Sequence, residues 1–267
     1  MNKKASGARM GAGGFFKRAY LGLVLLFLYA PILTLIVFSF NASKSRARWD
    51  GFTLDWYIQL FQDTDILNAL YVTLAVAVLG AILATILGTM GAIGIHSMGR
   101  FGKGLWMNVA NLSMLTPDIV IGVSMMILFI FCRLELGFLT MLLAHVTFNI
   151  PYVIFSVLPK LKQMNPNTYE AALDLGCKPM KAITKVILPE IRPGIVTGGL
   201  LSLTMSLDDF VISFFTSDTD MNLSMKIYSA AKLGVKPTIY ALSTLMFLTI
   251  LILLIIINKR SNIESIM

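Results

Sequence analysis

Residues 169–189 read YEAALDLGCKPMKAITKVILP, and the reading of this stretch decides the fold. Long apolar runs lie on both sides of it. The stretch itself carries Glu170, Asp174, Lys178, Lys181 and Lys185, so it cannot sit in hydrocarbon. It also has the punctuation of ordered structure. Asn167 followed three residues later by Glu170 is a capping-box spacing, in which each side chain satisfies a free backbone donor at a helix start. Tyr169, Ala172, Leu173 and Gly176 share one helical face. Gly176 supplies a left-handed residue to end a short helix, and Pro179 suits the first turn of a second helix over 180–188. Pro189 and Pro193 are expected to break the chain before the next apolar run. The spacing thus predicts two short helices with a tight elbow, lying at a membrane surface.

Working outward, the rest of the chain is built for lipid. Of its 267 residues, 57% are hydrophobic and only 13% are charged, with a mean hydropathy of +0.78. A soluble domain of this length would be about a quarter charged. The net charge of +8 has no basic domain to place on nucleic acid and is better explained as a topology signal. Cys132 and Cys177 fall on opposite sides of the membrane in this reading, which argues against a disulfide. No Cys or His spacing suggests a metal, and no cofactor is expected.

Six apolar runs are long enough to cross the hydrocarbon, at 20–40, 66–95, 105–131, 137–158, 194–216 and 237–257. The first follows a basic segment, as a signal peptide would, but it is too long and lacks a small-x-small cleavage site. It is expected to kink at Pro31. A loop with Trp49, Phe52, Trp56, Tyr57 and Phe61 follows. These aromatics either form an interfacial belt or build a short amphipathic helix over 54–61 that shapes an outer entrance. In the second run, Gly80, Ala84, Gly88, Gly91 and Ala92 put small residues at helical spacing, which suits close packing. His96, at the end of that run, reads as an interfacial residue.

The remaining polar residues inside spans are the candidate site. Thr116-Pro117-Asp118 interrupts the third span. Asp118 either caps the broken helix or meets a transported solute. His145 and Asn149 share a face of the fourth span and read as interhelical hydrogen-bond partners. The fifth span holds Ser202, Thr204, Ser206, Asp208 and Asp209. Two adjacent carboxylates in an apolar helix mark either a solute pathway or a buried contact with another subunit. On a continuous helix the more polar neighbours turn Asp209, rather than Asp208, toward water. Lysines and arginines are concentrated on the side of both termini and the 169–189 stretch, among them Lys160, Lys162, Lys178, Lys181, Lys185 and Arg192. That side is therefore cytoplasmic.

Glu170, Ala171, Ala172, Gly176, Val186, Leu188 and Pro189 together resemble the EAA loop of permease subunits in ATP-driven ABC importers. Val186 stands where that family more often has isoleucine. The resemblance implies an all-α membrane protein of six transmembrane helices with the MetI-like permease fold. Its loop is a cytoplasmic coupling helix that docks on an ATPase. The strings SLDDFVISFF at 206–215, LTPDIVIGVS at 115–124 and NIPYVIFSVLP at 149–159 are similar to the spermidine/putrescine branch.

The implied organisation is a cytoplasmic tail over 1–18, a first membrane helix with periplasmic loop over 19–65, a permease core over 66–258 that includes the coupling loop at 160–193, and a cytoplasmic tail over 259–267. The implied pathway residues are Trp56, Asp118, Ser206, Asp208 and Asp209. The implied partners are a second permease, two copies of a cytoplasmic ATPase, a periplasmic polyamine-binding protein and membrane lipid. The chain itself has no nucleotide-binding G-x-x-x-x-G-K-[ST] loop and no hydrolytic motif, so the resemblance implies a transport subunit and not an enzyme. Two other readings compete. One is a permease for a different solute such as an anion, which acids without buried lysine or arginine argue against; the other is a proton-coupled secondary transporter using Asp208 or Asp118 as proton carrier, which needs no EAA loop.

Overall fold

The computed structural model describes residues 12–43, 48–165, 167–234 and 236–264, and among them the chain is helical with no strand. The helices in order are α1 (Ala12–Phe38), α2 (Asp55–Gln62), α3 (Thr64–Ser97), α4 (Arg100–Leu115), α5 (Asp118–Phe131) and α6 (Phe138–Gln163). They continue with α7 (Asn167–Asp174), α8 (Pro179–Ala182), α9 (Leu188–Asp208), α10 (Val211–Thr216), α11 (Leu223–Leu233) and α12 (Pro237–Glu264). A π turn, Ile183–Ile187, joins α8 to α9. Four helical stretches are long and apolar enough to cross a membrane: Lys17–Phe38, Thr64–Ser97, Phe138–Gln163 and Pro179–Asp208. α4 and α5 form a fifth if counted as one bent span, and α12 begins with the shorter apolar stretch Pro237–Thr249. The expected count of six is therefore met only approximately.

Contacts divide the chain into two compact units, one made of the chain ends (Met1–Thr64 with Leu233–Met267) and one spanning Asp65–Lys232. In the first, α1 runs unbroken through Pro31, where a kink was expected. Residues 1–11 of the expected tail lie outside the described residues, and helix already covers 12–18. α2 forms where an amphipathic helix was expected, burying Trp56 and Leu60. Asn41 organises the loop before it. Its side chain donates to the Arg48 carbonyl at 2.7 Å and accepts the Asp50 N–H at 3.0 Å, while its own carbonyl accepts the Trp56 indole N–H at 2.7 Å.

The second unit is built on a seam of α3, α6 and α9. A hydrogen-sized side chain is what allows these backbones to meet. A Cβ placed on Gly88 of α3 would lie 2.6 Å from the Val153 Cβ of α6, and one on Gly198 of α9 would lie 3.1 Å from the Val153 Cα. A Cβ on Gly194 of α9 would lie 2.9 Å from the Ser156 carbonyl oxygen. Around them Ala84, Ala92, Val153, Val157 and Ile191 are wholly buried. Close approach of small residues is how helices gain dispersion energy where lipid offers no hydrophobic drive.

Several expectations are corrected. Pro189 and Pro193 do not break the chain. Helix continues from Pro179 to Asp208, because the π turn adds a residue to the turn preceding Pro189 and so moves aside the carbonyl its ring would strike. The third span is interrupted at Pro117 as expected, and there the chain bends by 106° between α4 and α5. The fifth breaks after Asp208, where Asp209 is extended at φ −66°, ψ 125°. Faces assigned along a continuous helix through both acids therefore do not exist. The segment after α10 contains α11, Leu223–Leu233.

Gly88→Ala is expected to lower stability by about 1–3 kcal/mol, since Val153 has no room to move. Val153→Ala in the same chain is expected to restore part of the loss. Thermal unfolding of the purified protein in detergent checks this, and an unchanged melting temperature for Gly88→Ala would contradict it.

Candidate functional site

Two places combine exposure with local order: the elbow after α7 and the break between α9 and α10. At the elbow, Tyr169, Ala172 and Leu173 are half-buried, while Glu170, Ala171 and Leu175 face outward. The capping box does not form among the described residues. Asn167 is already helical and its N–H goes to the Asn165 side chain at 3.0 Å. Asn165 was the better candidate, because its side chain reaches forward two residues to a backbone donor. The helix end is as expected. Gly176 has φ +79°, its N–H reaches the Leu173 carbonyl at 2.8 Å, and the Cys177 N–H reaches the Ala172 carbonyl at 3.1 Å. These are the two bonds of a Schellman end. The elbow turns two apolar side chains away from the chain, Leu175 at 89% and Met180 at 71% exposure. Large apolar groups held outward by a rigid turn suit a groove on another protein.

At the break, the two adjacent acids separate completely. The Asp209 side chain is only 7% exposed. One of its oxygens accepts the Ser213 N–H at 2.8 Å and the Ser213 hydroxyl at 2.9 Å, and the other accepts the Ile212 N–H at 3.2 Å. It thereby satisfies free donors at the start of α10. His145 of α6, itself 1% exposed, places Nε2 at 3.4 Å from the same carboxylate and 2.9 Å from the Ser213 Oγ. Its Nδ1 pairs with the Ser206 Oγ of α9. Asn222 donates to the Asp209 carbonyl at 3.0 Å and to the Ser213 Oγ at 2.7 Å, and accepts the Met225 N–H of α11 at 2.9 Å. Asp208 has none of this. It is exposed, and no partner for its carboxylate exists among the described residues.

The expectation that Asp209 faces water is thus reversed, because the break turns it onto α10 and His145. Ser206 is also buried and bonded, and so is Trp56, so neither offers a free group to a solute in this state. Asp118 is the first residue of α5, and among the described residues its carboxylate makes no hydrogen bond, which does not support the cap reading. Its carboxylate is exposed. On α6 the half-buried Tyr152 meets the Phe148 ring edge-on at 5.3 Å. Beside the other break, the Phe210 and Tyr228 rings meet tilted by 36°, with centroids 4.4 Å apart.

His145 is a hydrogen-bond partner between helices, as its position suggested. Asn149, one turn on, is wholly buried but neither side-chain atom finds a partner among the described residues. The Gly80–His145 and Gly88–Val153 approaches put it level with Ala84 of α3, whose side chain has nothing to donate. Ser213 and Asn222 belong to the site but carry no strong sequence signal. A serine four residues after Asp209 and an asparagine before α11 become readable only once the helix is known to break.

A sequence profile for the binding-protein-dependent transport system inner membrane component family matches residues 84–262. The chain is 37% identical over 252 residues to the spermidine/putrescine transport system permease protein PotC of Haemophilus influenzae, covering 93% of this chain and 98% of that one. It is 38% identical over 227 residues to the putrescine transport system permease protein PotI of Escherichia coli, covering 82% and 81%. In structure it resembles a chain of a bacterial ABC transporter importing the acidic polysaccharide alginate, with TM-score 0.68 and 16% identity over 93% and 94% of the two chains. It also resembles a chain of the inward-facing MetNI methionine ABC transporter, with TM-score 0.60 and 17% identity over 80% and 99%.

Proposed function

Because the chain belongs to the family of binding-protein-dependent transport system inner membrane components, we propose that it forms half of the import path for polyamines. It is a multi-pass membrane permease of an ABC importer, and that family works with an ATPase and a solute-binding protein. In our reading the other half of the path is a second, homologous permease. Two copies of the ATPase sit on the cytoplasmic side, which also holds both termini and the elbow. The binding protein delivers spermidine or putrescine from the periplasm, and lipid surrounds the rest.

The single observation that carries the solute class is the unpaired, exposed Asp208 at a broken span, with Asp118 at the other break. No lysine or arginine falls within 104–132 or 193–225, so neither acid has a resident counter-charge along its own span. A polyamine is a string of ammonium groups on methylene stems. It needs carboxylates at intervals and apolar or aromatic walls between them, a role open to the partly exposed Phe210, Tyr228 and Tyr152. At about 4 Å and an effective dielectric near 20, one carboxylate–ammonium contact is worth roughly 4 kcal/mol before desolvation. Desolvation must cancel much of this, or the cation would not leave. An anion path would need the opposite charges. A proton-coupled carrier has no use for the exposed apolar elbow, which in our reading docks on the ATPase through Glu170, Ala171, Ala172, Gly176, Leu188 and Pro189.

Two experiments test this reading. Asp118→Asn with Asp208→Asn is expected to leave the complex assembled with its basal ATP hydrolysis. Labelled spermidine uptake should fall at least about tenfold, near 1.4 kcal/mol in barrier. Native uptake in that variant would remove both acids from the path. Gly176→Val strains the left-handed turn by about 1 kcal/mol or more. It is expected to release the ATPase from membranes or uncouple hydrolysis from uptake, and full retention with full uptake would contradict the docking role.

A further inference from the structure

The His145 ring brackets Asp208 along the chain without touching it. Nδ1 engages Ser206, two residues before it, while Nε2 engages Ser213 and Asp209 after it. Gly80 of α3 backs the pair, since a Cβ there would lie 3.6 Å from the His145 Cβ and 3.7 Å from the Ser206 Oγ.

The direction of each bond follows from counting protons. Asn222 Nδ2 can only donate, so the Ser213 Oγ accepts from it. The single Ser213 hydroxyl proton goes to the Asp209 carboxylate. The same oxygen must therefore accept from His145, which puts a proton on Nε2. In the neutral ring Nδ1 is then the acceptor and the Ser206 hydroxyl donates to it. The Ser206 hydroxyl, the His145 Nε2–H and the Ser213 hydroxyl thus form one chain of donors that ends at the Asp209 carboxylate. Residue 209 is thus fixed at its carboxylate by α10 and His145, and at its carbonyl by Asn222.

We infer that His145 is a positioning residue for transport. By tying Ser206 to Asp209 and Ser213 across the break, it fixes the direction in which Asp208 leaves the chain toward the path. The inference rests on the reading of Asp208 as a pathway acid. What it requires of residue 145 is an N–H at the Nε2 position, not a charge.

The test is spermidine uptake by the complete transporter in proteoliposomes, with loaded binding protein in excess and basal ATP hydrolysis measured alongside. His145→Gln, whose amide nitrogen reaches the Nε2 position with an N–H, is expected to keep uptake within about threefold of native. His145→Leu, of similar bulk but without a donor, should lose about tenfold while hydrolysing ATP normally. His145→Leu combined with Asp208→Asn should be no worse than Asp208→Asn alone, because both act through one group. If the leucine variant does not assemble, Ser213→Ala carries the same cycle. It removes the Nε2 acceptor and should cost about threefold alone but nothing on top of Asp208→Asn. Multiplicative losses in the cycle, native uptake in the leucine variant, or a glutamine variant as poor as leucine would overturn the role of His145. Native uptake in Asp208→Asn alone would instead overturn the pathway reading beneath it.

Discussion

Val153 of α6 fills the space left by two missing side chains, Gly88 on α3 and Gly198 on α9, and the second unit depends on that contact. In lipid, helices gain nothing from hiding apolar groups from water, so their association depends on how closely the backbones approach. The approach is set by glycine and alanine along α3 and α9. Once those three helices are locked, the polar groups between them have fixed positions. His145 lies two turns before Val153 on α6, and Ser206 two turns after Gly198 on α9. The pair that anchors the acid break is therefore placed by the same register that packs the seam.

The break converts two like residues into two different devices. A carboxylate surrounded by hydrocarbon needs donors, and the start of α10 offers backbone N–H groups while His145 and Ser213 offer more. Asp209 takes all of them. Asp208 is left without any, facing out of the chain where a second subunit, solute or water can meet it. A continuous helix could not do this, because it has no free N–H groups to give to either acid. The break at Pro117 repeats part of the arrangement, with Asp118 exposed at the start of α5.

Much of this was legible in the sequence. The small-residue stripe on α3, the left-handed Gly176, the interruption at Pro117 and the pairing role of His145 all follow from local chemistry that acts within a turn or two. The errors have a common cause. Pro189 reads as a breaker because the π turn that accommodates it leaves no residue signature. Asp208-Asp209 reads as mid-helix because nothing around it is glycine or proline, and the break is held by Asn222 and His145, which are distant in sequence. The assignment of Asp209 to water failed for that reason alone. Asn149 shows the converse: its face was read correctly, but the partner that register brings is Ala84.

The central claim is that Asp208 faces the solute path while Asp209 is sealed behind it. In a chain with Cys132→Ser and Cys177→Ser, Asp208→Cys and Asp209→Cys can each be challenged with a small cationic thiol reagent in the assembled, reconstituted transporter. The account predicts that the thiol at 208 reacts, that spermidine slows its reaction, and that the thiol at 209 stays unmodified. Equal labelling at both positions, or labelling at 209 with protection at 208, would contradict it.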